Sequence, residues 1–155
     1  MMQPARAEHR ILGVHGDWTA QSDGTGAELV CYVGSAPKTA EGAYTRRGET
    51  FVLVSHRPSE RVIGEASVTA GYTYKEGLNA QAEIDGKVFL ELMTRGGTAW
   101  AADPAADRVL VAAMKAGRQM IVRGTSSRGT LTTDTYSLRG FTAAYAAIDK
   151  ACAPE

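Results

Sequence analysis

The chain has 155 residues, 44% hydrophobic and 22% charged, and its seventeen basic side chains balance seventeen acidic ones. This length and composition suit one globular domain that buries about two-thirds of its unfolded surface, not a disordered chain. Zero net charge removes the field that attracts nucleic acid, and no apolar run approaches the roughly 20 residues of a membrane span.

The first ten residues are polar and without hydrophobic periodicity, so we expect them to be disordered. Pro4-Ala5-Arg6-Ala7 has the small-x-small pattern of a signal-peptidase site. We interpret residues 1–10 as the remnant of an export signal or leader, with a meaningless Ala-rich terminus as the alternative. Residues 11–155 are then expected to form a single β-rich domain.

Two pairs of strands are predicted in the first half of the chain. Strands at 15–21 and 29–33 flank a turn rich in Ser, Asp and Gly. β-Branched and aromatic residues predict a buried strand at 50–56 and its return at 62–69. Residues 34–48 mix Pro, Gly, Lys and Arg without a period, which predicts the longest loop and a functional edge.

Side chains in two of these connections bear on function. We interpret Arg46-Arg47 as a solvated tip of the loop at 34–48. Residues 71–77 are expected to form an exposed connection that carries Tyr72 and Tyr74. Exposed amphipathic rings often mark recognition surfaces.

Two further hairpins follow. Asp85-Gly86 best supplies the two positive-φ positions of a type I′ turn, here between strands at 82–84 and 87–92. Strands at 119–126 and 130–138 flank Ser127-Arg128-Gly129, and their threonines suit a pleated face.

Two helices interrupt the strands. Asp103 as N-cap, Pro104 at the first helical position and Gly117 as a left-handed stop predict a helix at 104–116. Thr142 is expected to cap a second helix at about 142–151. About eight to nine strands and two helices predict a mainly β fold, either an antiparallel β-sandwich or a partly open barrel.

The two cysteines, Cys31 and Cys152, lie in an early strand and after the second helix. Their number, the lack of a CxxC spacing and the lack of a nearby His argue against a zinc site or a redox dithiol. A disulfide or two buried thiols remain. We favour the disulfide, which implies an oxidising compartment.

Five segments together carry a family resemblance: Gly16-Asp17-Trp18, 29–33, 51–58, Tyr74-Lys75-Glu76-Gly77 and 124–140. They resemble the invasion-associated locus B family of exported alphaproteobacterial proteins, over most of residues 14–152. The most specific part is 124–140, a string of Gly and Thr with set Arg, Asp and Tyr positions. The resemblance implies a β-rich periplasmic or secreted, surface-associated protein made with a signal peptide, with a name linked to host-cell entry and no attributed reaction.

Catalysis is not predicted by any group of side chains. His56 with Glu60 or Glu65 is an acid–base candidate, but a histidine at a strand end is more often solvated or capping. The serines at 126 and 127 lack a Gly-x-Ser-x-Gly elbow, and the carboxylates of Glu83, Asp85 and Glu91 suit a turn and a solvated face. No spacing of ligands indicates a metal, and no cofactor is expected.

We therefore expect a non-enzymatic binding or envelope-interaction protein whose partner is an unknown protein or envelope component. The candidate binding surface consists of Tyr72, Tyr74, Trp100, Arg123, Arg128, Asp134 and Tyr136. We interpret Asp134 as an ion-pair anchor for the nearby arginines at 123, 128 and 139. The alternatives are a small-molecule or carbohydrate-binding protein with Arg123, Arg128, Asp134 and Tyr136 in a polar pocket, and a structural envelope subunit.

Overall fold

A computed structural model describes residues 8–152, and it confirms the mainly β, antiparallel class with two helices. The strands are β1 (His9–His15), β2 (Trp18–Asp23), β3 (Val30–Ser35), β4 (Thr39–Gly42), β5 (Phe51–Arg57), β6 (Val62–Thr69), β7 (Ala80–Ile84), β8 (Val88–Arg95), β9 (Thr98–Ala101), β10 (Gln119–Thr125) and β11 (Leu131–Ser137). The helices are α1 (Pro104–Ala116) and α2 (Phe141–Ala151).

All eleven strands belong to one antiparallel sheet, in the order β1-β2-β3-β5-β6-β9-β8-β7-β10-β11-β4. The sheet is open, with β1 and β4 at its edges. The partly open form of the prediction therefore describes the fold better than two separate sheets. None of the helices in the described range is long and apolar enough to cross a membrane.

Three of the strands, β1, β4 and β9, were not predicted. The strand expected at 15–21 starts only at Trp18, as β2, because the chain turns at Gly16 with a φ of +56° after β1 ends. His9 and Arg10 already pair in β1, so the disorder expected up to residue 10 was wrong for these two residues. Residues 1–7 of the expected leader lie outside the described residues.

The prediction of a continuous loop at 34–48 is wrong, because Thr39–Gly42 within it form strand β4. Strands β3 and β5 pair with each other, whereas β4, between them in sequence, pairs with β11 at the far edge of the sheet. Residues 36–50, the crossover segment, therefore cross from β3 to β11 and return to β5. Such a crossing leaves no trace in local hydrophobic periodicity.

Helix α1 has the predicted bounds, and its Asp103 cap accepts a hydrogen bond from the N–H of Ala106 at 2.8 Å. The predicted left-handed stop is wrong, because Gly117 is extended, with a φ of −98°. Glycine is needed there for room, since a Cβ would lie 2.5 Å from Ile84 Cγ2.

Helix α2 starts one residue earlier than predicted and is not capped by Thr142. Gly140 precedes it with a φ of +91°, and a Cβ there would lie 1.8 Å from the carbonyl oxygen of His15. The hydroxyl of Thr142 instead donates to the carbonyl of Lys115 at 3.2 Å, which ties α2 to the end of α1.

The core contains Trp18 and Phe141, whose rings meet edge to face with centroids 5.0 Å apart. The indole N–H of Trp18 donates to the carbonyl of Ser137 at 2.8 Å. This bond joins β2 to the end of β11, although these two strands lie next to opposite edges of the sheet. Helix α2 covers the β1–β3 end of the sheet, and α1 lies on β6.

A disulfide joins Cys31 of β3 to Cys152 at the end of α2, with the Cα atoms 6.1 Å apart. Both cysteines are buried. The alternative of two buried thiols is therefore wrong, and the second helix is covalently fixed to the sheet.

Replacing both cysteines, Cys31→Ala with Cys152→Ala, should lower the free energy of unfolding by about 2–5 kcal/mol, since a bridge over a long loop restricts the unfolded chain. The sequence separation here is 121 residues. Urea denaturation measures the change, and wild-type protein in reductant should show a similar loss. A denaturation midpoint that reductant leaves unchanged would contradict this prediction.

Candidate functional site

A cleft of about 440 Å³ lies where the crossover segment meets the turn between β10 and β11. We call it the crossover cleft. It is bounded by residues 43–46 on one side and by the turn on the other, with the buried Thr132 at its base. Its lining has six hydroxyl side chains, two aromatic rings and two cations: Thr45, Thr73, Ser126, Ser127, Thr130, Thr132, Tyr44, Tyr72, Arg46 and Arg128.

The β10–β11 turn is fixed by local chemistry that the sequence predicts. The N–H of Gly129 donates to the carbonyl of Ser126 at 2.8 Å, with Gly129 at a φ of +86°. The hydroxyl of Ser126 accepts from the N–H of Thr130 at 3.1 Å. Ser127 donates its N–H to the carbonyl of Thr73 at 2.7 Å. The turn therefore presents Ser127 and Arg128 to solvent at the mouth of the cleft.

The aromatic connection at 71–77 is less exposed than predicted. Tyr74 is only 4% exposed, so its assignment to an exposed surface is wrong. Tyr72 is half-buried, and its hydroxyl shares a 2.6 Å hydrogen bond with Thr132 Oγ1. Burial raises the pKa of both phenols, so they stay protonated at neutral pH. Both side chains use the space at Gly124, where a Cβ would lie 2.7 Å from the hydroxyl oxygen of Tyr72 and 2.7 Å from Cε1 of Tyr74.

A buried ion pair joins the crossover segment to β11. The guanidinium of Arg47 donates to Asp134 Oδ1 at 2.6 Å and Oδ2 at 2.5 Å, and its Nε donates to the carbonyl of Ala70 at 2.7 Å. The two side chains are 5% and 3% exposed. The guanidinium also lies over the rings of Tyr44 and Tyr72, at 5.4 and 5.0 Å. The interpretation of Arg47 as a solvated tip was wrong.

Asp134 is an ion-pair anchor as predicted, but its partner is not one of the arginines at 123, 128 and 139. Its partner is Arg47, which lies 87 positions away in the sequence. One sequence signal points to a missing partner: Asp134 occupies an inward position of β11 between Thr132 and Tyr136. An inward carboxylate requires a buried cation or donors.

The hydrogen bonds to Asp134 stabilise the charged form of Arg47. Burial lowers the pKa of its guanidinium, but the hydrogen bonds and negative charge of Asp134 outweigh burial, so the pKa is raised. Bidentate bonding satisfies both carboxylate oxygens, which is the geometry that offsets the desolvation of a buried pair. The pair therefore fixes one wall of the crossover cleft.

The two ends of the crossover segment are anchored as well. At its start, Lys38 Nζ lies 2.6 Å from Asp17 Oδ1 in the β1–β2 turn. Hydrogen bonds from Lys38 and Ser137 lower the pKa of Asp17 to about 2. At its end, the N–H of Gly48 donates to the carbonyl of Gly71 at 2.8 Å, and a Cβ on Gly71 would lie 2.4 Å from the oxygen of Gly48.

The other predicted surface residues lie apart from this cleft. Arg123 is exposed on β10, 3.6 Å from Glu83. Trp100 is half-buried on β9 and faces Met93 across the pair of strands. Tyr136 is buried, and its hydroxyl has no hydrogen-bond partner within residues 8–152. Only Tyr72 and Arg128 of the predicted set line the cleft. The four side chains expected in a polar pocket therefore do not share one.

His56 is 1% exposed and does not pair with Glu60 or Glu65. Its Nδ1 accepts from the N–H of Gly64 at 2.9 Å, which assigns the ring proton to Nε2. That proton is donated to Asp149 Oδ1 at 2.7 Å. Both nitrogens thus connect the end of β5 to β6 and α2. Across the described chain, no group of three His, Cys, Asp or Glu residues is placed to hold a metal ion.

The comparison with known proteins gives one match. The model of the family described as Invasion associated locus B (IalB) protein matches residues 18–149, which include both sides of the crossover cleft. No curated protein and no solved structure matches the chain.

Replacing Arg47 with Met leaves the Asp134 carboxylate buried without a counter-charge, so the free energy of unfolding should fall by about 3–5 kcal/mol in urea denaturation. The matched control is Arg46→Met at the exposed neighbouring position, expected to change stability by less than about 0.5 kcal/mol. Adding Asp134→Leu to Arg47→Met should recover most of the loss. Equal losses for the two single variants would refute a structural ion pair.

The Asp17 carboxyl should titrate with a pKa of about 2 when its carbon chemical shift is followed by NMR. Because the folded pKa lies below the ordinary value of 3.8, the carboxylate stabilises the fold above that pH and loses this effect as the pH falls towards 2. The stability difference between wild type and Asp17→Asn should therefore narrow over that interval. Lys38→Met should move the Asp17 pKa upward, and an unmoved pKa would argue against the ion pair.

Proposed function

The chain belongs to the invasion associated locus B family, and from that premise we propose that it is an exported, non-enzymatic protein that binds an envelope component in the crossover cleft. The observation that carries the proposal is the cleft itself. Its volume of about 440 Å³ lies within the roughly 300–1,000 Å³ of small-ligand pockets.

The cleft is supported by rigid contacts, which favours a binding role. The ion pair of Arg47 and Asp134 fixes the crossover segment to β11. The hydrogen bond from Ser127 to Thr73 fixes the β10–β11 turn to the aromatic connection at 71–77. A site that is already formed loses less conformational entropy when a ligand binds. The proposed binding therefore uses a cleft that is already formed and does not require a segment to become ordered first.

The side chains that line the cleft suit recognition more than proton transfer. They are arginines, tyrosines, serines, threonines and Ala43. Proton transfer at neutral pH requires a group whose pKa lies near the working pH. The pKa of Tyr72 is raised, and arginine stays charged in proteins. This lining supports the non-enzymatic part of the proposal.

The disulfide between Cys31 and Cys152 supports the exported part. Structural disulfides persist in oxidising compartments such as the periplasm and the cell exterior, and they are rare in the cytosol. The family description names invasion, which supports a role at the cell surface in contact with a host as part of the same proposal.

A structural envelope subunit is the second candidate, and one surface favours it. Phe89 and Met93 are 54% and 50% exposed on the same face of β8. Met93 lies opposite the half-buried Trp100 of β9. Large exposed apolar side chains favour a surface that another protein covers, although the exposed Glu91 lies between Phe89 and Met93 on this face.

Ser127→Trp should fill the mouth of the crossover cleft and abolish capture of the envelope component by the immobilised protein, measured by quantitative mass spectrometry of an envelope extract. The matched control is Ser59→Trp, an exposed serine in the 3₁₀ turn Pro58–Glu60, which should capture as wild type does. Both variants should keep the wild-type melting temperature. Capture that survives Ser127→Trp but is lost with Phe89→Ser would favour the structural subunit instead.

A further inference from the structure

We propose that the ligand of the crossover cleft is an acidic saccharide whose carboxylate or phosphate is bound between Arg46 and Arg128. This inference rests on the proposed function, because it names the ligand class of the same site.

The side chains that line the cleft give it a net positive charge. Two arginines line it, and no Asp or Glu does. Both are exposed, and none of the ion pairs formed within residues 8–152 includes either of them. The adjacent Arg47, by contrast, is neutralised by Asp134. The cleft therefore keeps a positive charge that an anionic group complements.

The two arginines reach the cleft from different elements. Arg46 comes from the crossover segment and Arg128 from the β10–β11 turn. A guanidinium presents a rigid planar fork of donors that matches the oxygens of carboxylate and phosphate. The Arg47–Asp134 pair and the turn fix the two backbones, so an anion in the cleft has two cationic side chains in its lining.

The rest of the lining distinguishes an acidic sugar from a simple anion. The hydroxyl of Tyr44 donates to the carbonyl of Ala40 at 2.6 Å, and that of Tyr72 is bonded to Thr132. With their hydroxyls bonded within the protein, the two residues contribute mainly the apolar surface of their rings. The exposed side chains of Thr45, Thr73 and Ser127 add hydroxyls that donate and accept. Sugars offer the same combination of apolar C–H faces and hydroxyls.

A neighbouring shallow hollow of about 560 Å³ shares Thr45 and Arg46 with the cleft and continues to Gly48 and Gly71. Arg46 therefore lies between two depressions. A ligand that spans both is longer than one sugar ring, so an acidic oligosaccharide suits the surface better than a monosaccharide.

Isothermal titration of the full chain with four probes tests the proposal: trigalacturonate, glucose 1-phosphate, maltotriose and inorganic phosphate. We expect trigalacturonate, glucose 1-phosphate or both to bind at least about tenfold more tightly than maltotriose and phosphate. Binding should weaken as salt is raised. Equal binding of maltotriose, equal binding of phosphate, or no binding of either acidic sugar overturns the proposal.

The double variant Arg46→Gln with Arg128→Gln should weaken binding of the preferred acidic sugar by at least about tenfold, which corresponds to losing one charge-assisted hydrogen bond. The matched control is Arg118→Gln, an exposed arginine at the other end of β10, which should bind as wild type. If the double variant binds as tightly as the control, the arginine clamp is wrong.

The failures of the two proposals are distinguishable. If Ser127→Trp abolishes capture of envelope material while neither acidic sugar binds the wild type, the cleft is the functional site and only the ligand class is wrong. If capture survives Ser127→Trp, the proposed function fails, whatever the sugars do.

Discussion

The buried ion pair between Arg47 and Asp134 is the constraint on which the site depends. Its two side chains are 5% and 3% exposed, and three hydrogen bonds from the guanidinium fix the crossover segment to β11 and to the end of β6. A buried pair contributes little net stability compared with an apolar pair, but loss of one partner is costly. Its main effect is therefore on geometry, since it selects one position for the segment that forms a wall of the cleft.

The rest of the molecule supplies the frame for that segment. The disulfide and the Trp18–Phe141 contact hold α2 on the β1–β3 end of the sheet. Glycine allows the close approaches: at Gly124 it makes room for two tyrosine side chains, and at Gly71 it lets two backbones meet. The proposed binding site thus consists of connecting segments on a rigid sheet, which is where binding residues commonly lie.

Two adjacent arginines illustrate how the fold separates structure from function. Arg47 points inward and is neutralised, whereas Arg46 is exposed and lines the cleft. The same residue type therefore stabilises the wall at one position and leaves, within residues 8–152, an unpaired positive charge in the cleft at the next. The β10–β11 turn does likewise, with Ser126 bonded within the turn and Arg128 presented to solvent. An anionic ligand needs both the fixed backbone and the unneutralised charge.

The sequence by itself determined the elements that depend on local chemistry. These are the helix at Pro104–Ala116, the type I′ turn at Asp85-Gly86, where both φ values are positive, and the hairpin around residues 126–129. Turn and cap residues act on their own backbone, so neighbours in sequence suffice to predict them. Tertiary structure alone decided that β4 pairs with β11, that Arg47 meets Asp134 across 87 positions and that Tyr74 is buried. These facts depend on strand order and register across the whole sheet, which no local periodicity specifies.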